Sequence, residues 1–146
     1  MAMQLLPRRI RPEHIILLVT AAGRRLFWFK TKTKRLLPKK EFIRQRGRAY
    51  DLVLEKLKNF NEIYKFKYRK ISIRNQKTRW GSCSKKGNLN FNYKVVYLPN
   101  HLADYLVVHE LCHLGEMNHS KRFWALVAKT FPDYRTMRRE LKNIKV

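Results

Sequence analysis

Acidic side chains are scarce in this sequence: 10 Asp plus Glu stand against 34 Lys plus Arg in 146 residues, a formal net charge of +24. Such an excess draws the chain to polyanions, because each Lys or Arg that meets a phosphate releases condensed counterions. Nucleic acid, ribosomes and anionic membrane surfaces are the expected nonspecific contacts, and charge alone says nothing about specificity. Cysteine is nearly as scarce. Cys83 and Cys112 are the only two, with no C-x-x-C pair, which excludes a zinc ribbon and a disulfide framework. Two reduced thiols suit a cytoplasmic protein. Long apolar runs are missing as well. The longest aliphatic stretch, Ile15 to Val19, falls far short of the ~18 to 20 residues of a membrane helix, so no membrane span is expected. Arg8-Arg9-Ile10-Arg11 ahead of Ile15 to Ala22 has the outline of a signal peptide, but its apolar part is short and follows Glu13 and His14. There are no internal repeats and no low-complexity segments, which excludes a solenoid.

What is present is enough apolar material for a core: 45% of residues are apolar and 12% aromatic, consistent with one globular domain over 1–146. Residues 13–20 and 25–30 are rich in branched and aromatic side chains and are separated by Ala21-Ala22-Gly23-Arg24, which predicts an N-terminal hairpin. A basic connector over 31–40 follows, with Pro38 suited to the first turn of a helix. From there to about Phe60, Phe42, Ile43, Tyr50, Val53, Leu54, Leu57 and Phe60 recur at helical spacing, weakened early by Gly47. Residues 66–75 and 89–98 alternate as strands, and Lys85-Lys86-Gly87-Asn88 between them predicts an antiparallel pair. Pro99 and Asn100 end the second strand, and helices are expected over 101–114, 120–130 and 132–144, the last two parted at Phe131-Pro132. Strands and helices are partly segregated along the chain, which favours an α+β fold.

The chemistry concentrates in one segment. Four of the five histidines lie between His101 and His119, and His109-Glu110-Leu111-Cys112-His113 is an H-E-x-x-H sequence. On a helix, positions i and i+4 are ~40° apart around the axis, so both imidazoles can reach one tetrahedral zinc. Glu110 is turned ~100° from His109, beside the metal as a base rather than on it. A third protein ligand is still needed. His119 is well placed for it, past Gly115, whose tolerance of positive φ would let the chain leave its helix and bend back. Glu116 or a residue of the last helix are the alternatives. The His109 to His119 spacing equals that of the H-E-x-x-H-x-x-G-x-x-H signature, but Gly115 sits one place early and Glu116 occupies the glycine position. From Pro99 to Asn118 there is no Lys or Arg, while Asp104, Glu110 and Glu116 all fall there. Keeping ammonium and guanidinium groups away from a dication favours metal binding.

Thr78-Arg79-Trp80-Gly81-Ser82-Cys83-Ser84, the strand over 88–98, Val107 to Leu114, and Asn118-His119-Ser120-Lys121-Arg122-Phe123-Trp124 together resemble the YgjP-like metal-dependent hydrolases. These are zincins related to SprT-like and WLM metallopeptidases, and the resemblance runs over about 65–140. It implies a compact zincin-like domain: a small, mainly antiparallel sheet packed on an active-site helix, followed by C-terminal helices. It also implies one Zn2+ on His109, His113 and His119, with Glu110 as general acid/base. The C-terminal zinc ribbon of SprT-like proteins is missing, which weakens any transfer of their substrate. A nucleotide pyrophosphatase activity is also attached to the YgjP-like group.

The expected activity is therefore zinc-dependent hydrolysis of a peptide or protein. A nucleoside triphosphate pyrophosphatase is the alternative enzyme, and a basic nucleic-acid-binding module with structural zinc is the non-enzymatic one. Glu110 speaks against the last, since a structural site has no use for an unligated carboxylate at the metal. A second oxyanion donor is usually wanted, and Arg79, Tyr93, Arg122 and Tyr134 are the candidates. Cys112 is better read as a small buried hydrophobe than as a ligand, Phe123 and Trp124 as core, and Asn118 and Ser120 as caps.

Overall fold

The computed structural model describes residues 33–146, with side chains from Lys39 onward, and Lys39–Val146 forms one compact unit. The expected hairpin over 13–30 lies outside the described residues. The first described helix, α1 (Thr33–Tyr64), starts earlier and ends later than its apolar spacing predicts. Most of the basic connector is therefore helical, and Pro38 lies inside the helix. On its inner face Ala49, Val53 and Leu57 are fully buried, at spacings of four that bring them onto one stripe.

Three short strands follow: β1 (Lys70–Arg74), β2 (Gly81–Cys83) and β3 (Asn88–Asn92). The sheet order is β1-β3-β2. β1 runs parallel to β3, with Ile71 opposite Leu89 and Ile73 opposite Phe91, whereas β2 pairs antiparallel with β3, with Ser82 opposite Asn90. The antiparallel pairing expected between 66–75 and 89–98 is thus corrected to parallel. The turn assigned to that pair closes β2 against β3 instead: the Gly87 amide donates to the Ser84 carbonyl at 2.8 Å, with Gly87 at φ 74°. Only glycine takes that φ without strain.

The strand expected over 89–98 stops at Asn92 and gives way to a 3-10 helix over Tyr93–Tyr97. Asn92 causes the change. Fully buried, it accepts from the Lys94 amide at 3.2 Å, which caps the new helix, and its side-chain amide donates to the carbonyls of Gln76 (2.8 Å) and Arg79 (3.2 Å). Its own backbone amide donates to the Trp80 carbonyl at 2.7 Å. One side chain thereby ends β3 and fixes the 75–80 loop that delivers β2.

The remaining elements are α2 (Asn100–Cys112), α3 (Lys121–Ala128) and α4 (Tyr134–Asn143), with α3 and α4 parted where Phe131-Pro132 predicts. α2 is the central helix and is apolar nearly all round, as a helix buried between two layers must be. Ala103, Leu106, Val107 and Leu111 face the sheet and α1, while Tyr105, Val108 and Cys112 face α3 and α4. Each fully buried Val or Leu contributes roughly 1.5 to 3 kcal/mol of transfer free energy. Lys56 on α1, only 8% exposed, is hydrogen-bonded to Asn100 (2.6 Å) and ion-paired with Asp104 on α2. The architecture is α+β, with a small mixed sheet and the site-bearing helix at its centre.

Candidate metal centre

The two-layer burial of α2 sorts the H-E-x-x-H residues by face. Glu110 continues the stripe of Ala103, Leu106 and Val107 and so turns toward the sheet. His109 and His113 fall with Tyr105 and Cys112 and turn toward α3. His119 arrives from the link between α2 and α3, just ahead of Ser120, whose hydroxyl caps α3 by accepting from the Phe123 amide at 3.3 Å. The cap fixes where the α3 backbone begins and with it the approach of His119. One ring nitrogen from each of the three histidines lies within 4.8 Å of the others, and the Nε2 atoms of His109 and His119 are 3.0 Å apart.

His113 Nδ1 lies 3.0 Å from the Glu116 carbonyl, which only accepts, so Nδ1 carries the proton and Nε2 keeps its lone pair free. The Tyr105 hydroxyl stands 3.5 Å from His109 Nδ1, at the outer limit of such a contact. Beneath all three imidazoles is one apolar ring: Phe123, fully buried, has its centroid 4.9, 4.5 and 4.7 Å from those of His109, His113 and His119.

Burial sets the charge state of the cluster. It pushes His109 down to about 3, with positive charge at His113 and His119 adding to the effect. Burial also lowers His113, against the Glu116 carbonyl, and lowers His119, helped by His113. All three rings are therefore neutral near pH 7, the form that binds a metal. Glu110 moves the other way. It is 5% exposed, burial pushes its carboxyl up to about 8 against the opposing charge of Arg79, and its Oε2 has no hydrogen-bond partner. Gly81 makes room for it: a Cβ there would come within 2.6 Å of Glu110 Oε1 and 2.7 Å of Cγ. Three neutral imidazoles on one point, with an orphaned carboxylate oxygen beside them, fit a divalent transition metal. A tetrahedral zinc at ~2.0 to 2.1 Å from nitrogen donors would separate them by about 3.3 Å, and the His109 and His119 Nε2 atoms, 3.0 Å apart, are close to that.

The other sequence candidates scatter. Arg79, in the loop before β2, acts on Glu110 by its charge. Tyr134 stacks on Trp124, their centroids 4.8 Å apart, and Trp124 in turn stacks on His119 at 5.4 Å. Tyr93 is 4% exposed and packs edge-on against Phe42 in the main core. Arg122 pairs with Glu116 at 2.9 Å. The candidate metal-ligating group comprises the three histidines without Glu116, and Cys112 is buried in the layer between α2, α3 and α4. Trp80 packs partly on the main core and its indole N–H donates to the Ile144 carbonyl at 3.4 Å.

Gly115 is not at positive φ. Its absent side chain serves a close approach instead, since a Cβ would meet Phe66 at 2.8 Å and Leu126 at 3.2 Å. Sequence reasoning missed the seat that Gly81 gives Glu110, the role of Asn92, and Phe123 as the surface under the imidazoles. The spacing of four from His119 to Phe123, one helical turn, was the available signal for the last.

A family model for the YgjP-like metallopeptidase domain matches residues 30–144. Among solved structures the chain is similar to the metallopeptidase zymogen abylysin of Pyrococcus abyssi, with 26% identity and a TM-score of 0.56 over 61% of this chain and 90% of that one. It is also similar to the metallopeptidase zymogen jannalysin of Methanocaldococcus jannaschii, with 28% identity and a TM-score of 0.49 over 64% and 91% of the two chains. No curated protein matches the sequence. No helix among the described residues is long and apolar enough to cross a membrane. With the family model spanning most of the chain, a zincin-like neighbour sharing its fold, and three histidines gathered for a metal, the chain belongs to the YgjP-like metallopeptidase-domain family of metal-dependent hydrolases.

Proposed function

We propose that the chain is a zinc-dependent peptidase in which His109, His113 and His119 hold one zinc ion and Glu110 moves the proton. The observation that carries this reading is the buried, unpartnered Oε2 of Glu110 on a helix whose next face gathers the three imidazoles. Zinc bound there would supply the Lewis acidity that makes water nucleophilic near neutral pH and polarises the scissile carbonyl. Burial raises this carboxyl, and the charge of a dication bound nearby would favour the ionised form that can accept a proton. Glu110 Oε2 takes a proton from the attacking water and returns it to the leaving amine nitrogen, a transfer that contributes typically 10²- to 10⁴-fold.

Two further groups support the site. Arg79 keeps a positive charge within reach of Glu110, and Tyr134 stands one ring beyond His119 on the Trp124 stack. These two remain candidates for stabilising the developing oxyanion. β2, which carries Gly81 against Glu110, is an edge strand of the described sheet, and an extended peptide can add to such an edge through main-chain hydrogen bonds.

The test compares zinc-loaded wild type with Glu110→Gln and His119→Ala. About one zinc per chain by elemental analysis in the first two, much less in the third, and cleavage of an unfolded protein by wild type alone is the expected pattern. Release of pyrophosphate from a nucleoside triphosphate with the same Glu110 dependence, and no peptide cleaved, would replace the peptidase by the nucleotide hydrolase.

A further inference from the structure

The sequence keeps Lys and Arg out of the whole stretch from Pro99 to Asn118, yet the fold brings a guanidinium back beside the histidines from α4. Arg138 lies over the Trp124 ring, its Cζ 4.9 Å from the centroid. Trp124 stacks on His119 with an interplanar angle of 24°, and Tyr134 stacks on Trp124 at 10°. Tyr134 and Arg138 are four apart on α4 and share one face of it. The indole therefore holds the guanidinium in place by a cation–π contact while it also packs against a histidine of the metal cluster. Arg138 itself is exposed. Among the described residues the carboxylates in ion pairs are Glu41, Asp104, Glu140 and Glu116, and none of them pairs with Arg138.

A fixed cation beside a dication site opposes metal binding unless an anion comes between them. No carboxylate of the described protein pairs with this guanidinium, and its forked donors suit a planar carboxylate. We propose that Arg138, braced on Trp124, is a specificity-determining residue that takes a carboxylate of the substrate peptide at the rim of the metal centre. The inference rests on the peptidase reading. The carboxylate is either a free C-terminus close to the scissile bond or an Asp or Glu side chain next to it, and one set of peptides separates the two sources.

Three peptides of otherwise identical sequence serve as probes: neutral with an amidated C-terminus, neutral with a free C-terminus, and amidated with Glu beside the scissile bond. Their affinities are measured calorimetrically on zinc-loaded Glu110→Gln and on the double variant Glu110→Gln/Arg138→Gln, and their kcat and KM on wild type, Arg138→Gln and Arg138→Lys. One of the two carboxylate peptides is expected to bind roughly 10- to 100-fold more tightly than the neutral amide, the range of a charged hydrogen bond. In Arg138→Gln that advantage collapses to the level of the amide, through KM rather than kcat, with zinc content and Tm unchanged; Arg138→Lys restores part of it. Equal binding of all three peptides overturns the inference and leaves the peptidase reading standing. So does an equal loss for all three in Arg138→Gln. Failure of any peptide to bind the zinc-loaded protein overturns both.

Discussion

Gly81→Ala should separate metal binding from proton transfer. The added Cβ would stand 2.6 Å from Glu110 Oε1, 2.7 Å from Cγ and 2.8 Å from Cδ, where ordinary contact begins near 3.4 Å. The carboxyl end of Glu110 must therefore shift by close to 1 Å, or the β2 backbone must yield. Overpacking of this kind costs about 1 to 3 kcal/mol, and in a domain of this size each kcal/mol lowers Tm by roughly 3 to 5 °C. The effect on turnover is larger. A reacting group displaced by about 1 Å loses on the order of 10²-fold in rate. The histidines lie on the adjoining face of α2, turned toward α3 rather than toward Gly81, so zinc content should stay close to the wild-type level. Elemental analysis, thermal unfolding and cleavage of an unfolded protein, run beside Glu110→Gln, read the three quantities. Loss of zinc in Gly81→Ala, or unchanged turnover with unchanged Tm, would refute the argument that this glycine exists to seat Glu110.

Asn92→Ala leaves the Gln76 and Arg79 carbonyls and the Lys94 amide without their partner; at ~1 kcal/mol or more for each, a loss of about 3 kcal/mol in chemical denaturation is expected, with turnover falling because β2 loses its anchor. Gly47→Ala goes the other way. Nothing lies within 4 Å of a Cβ at this position in the middle of α1, so the substitution should stabilise by about 0.5 to 1 kcal/mol, read as a raised Tm; destabilisation would mean that α1 is not helical there in solution. The Cys83 thiol is pushed up from 9.0 to about 11, first by burial and then by the charge of Glu110. A raised folded value means that its contribution to stability is present below the unfolded value and is lost as pH rises through about 11. At pH 8 the thiolate is then about 100-fold rarer than in the unfolded chain, so alkylation followed by mass spectrometry should be slow until denaturant is added; fast labelling of Cys83 in the folded protein would count against that burial.

The site was legible because its chemistry is local. His109, Glu110 and His113 lie within five residues on one helix, and His119 is close enough in sequence to be tried as the third ligand, so spacing alone brought out the group. The α1 and α2 helices and the break at Phe131-Pro132 were legible for the same reason: helical periodicity and proline act over a few residues. The sheet was not. β2 has three residues, Gly81, Ser82 and Cys83, too few to alternate and poor in β-branched side chains, so nothing marked it as the strand that takes the antiparallel place beside β3. Without it, the neighbouring strands were paired with each other in the wrong direction. Asn92 stood in a stretch of apolar alternation and gave no sign of ending it. Gly115 invited a reading through φ when the reason was the space that Phe66 and Leu126 occupy.

The two working faces of α2 have a consequence for how this chain can change over time. Glu110 addresses the sheet layer and His109 the α3 layer, and both directions are set by counting residues from Asn100, where Lys56 pins the start of the helix. A single residue inserted between Asn100 and His109 would turn everything after it by ~100°, swinging Glu110 off Gly81 and the histidines off Phe123 in one event. Apolar substitutions along the helix can drift, whereas its length cannot. Variation in this segment should be confined to replacements, and insertions and deletions should gather in the loops outside it.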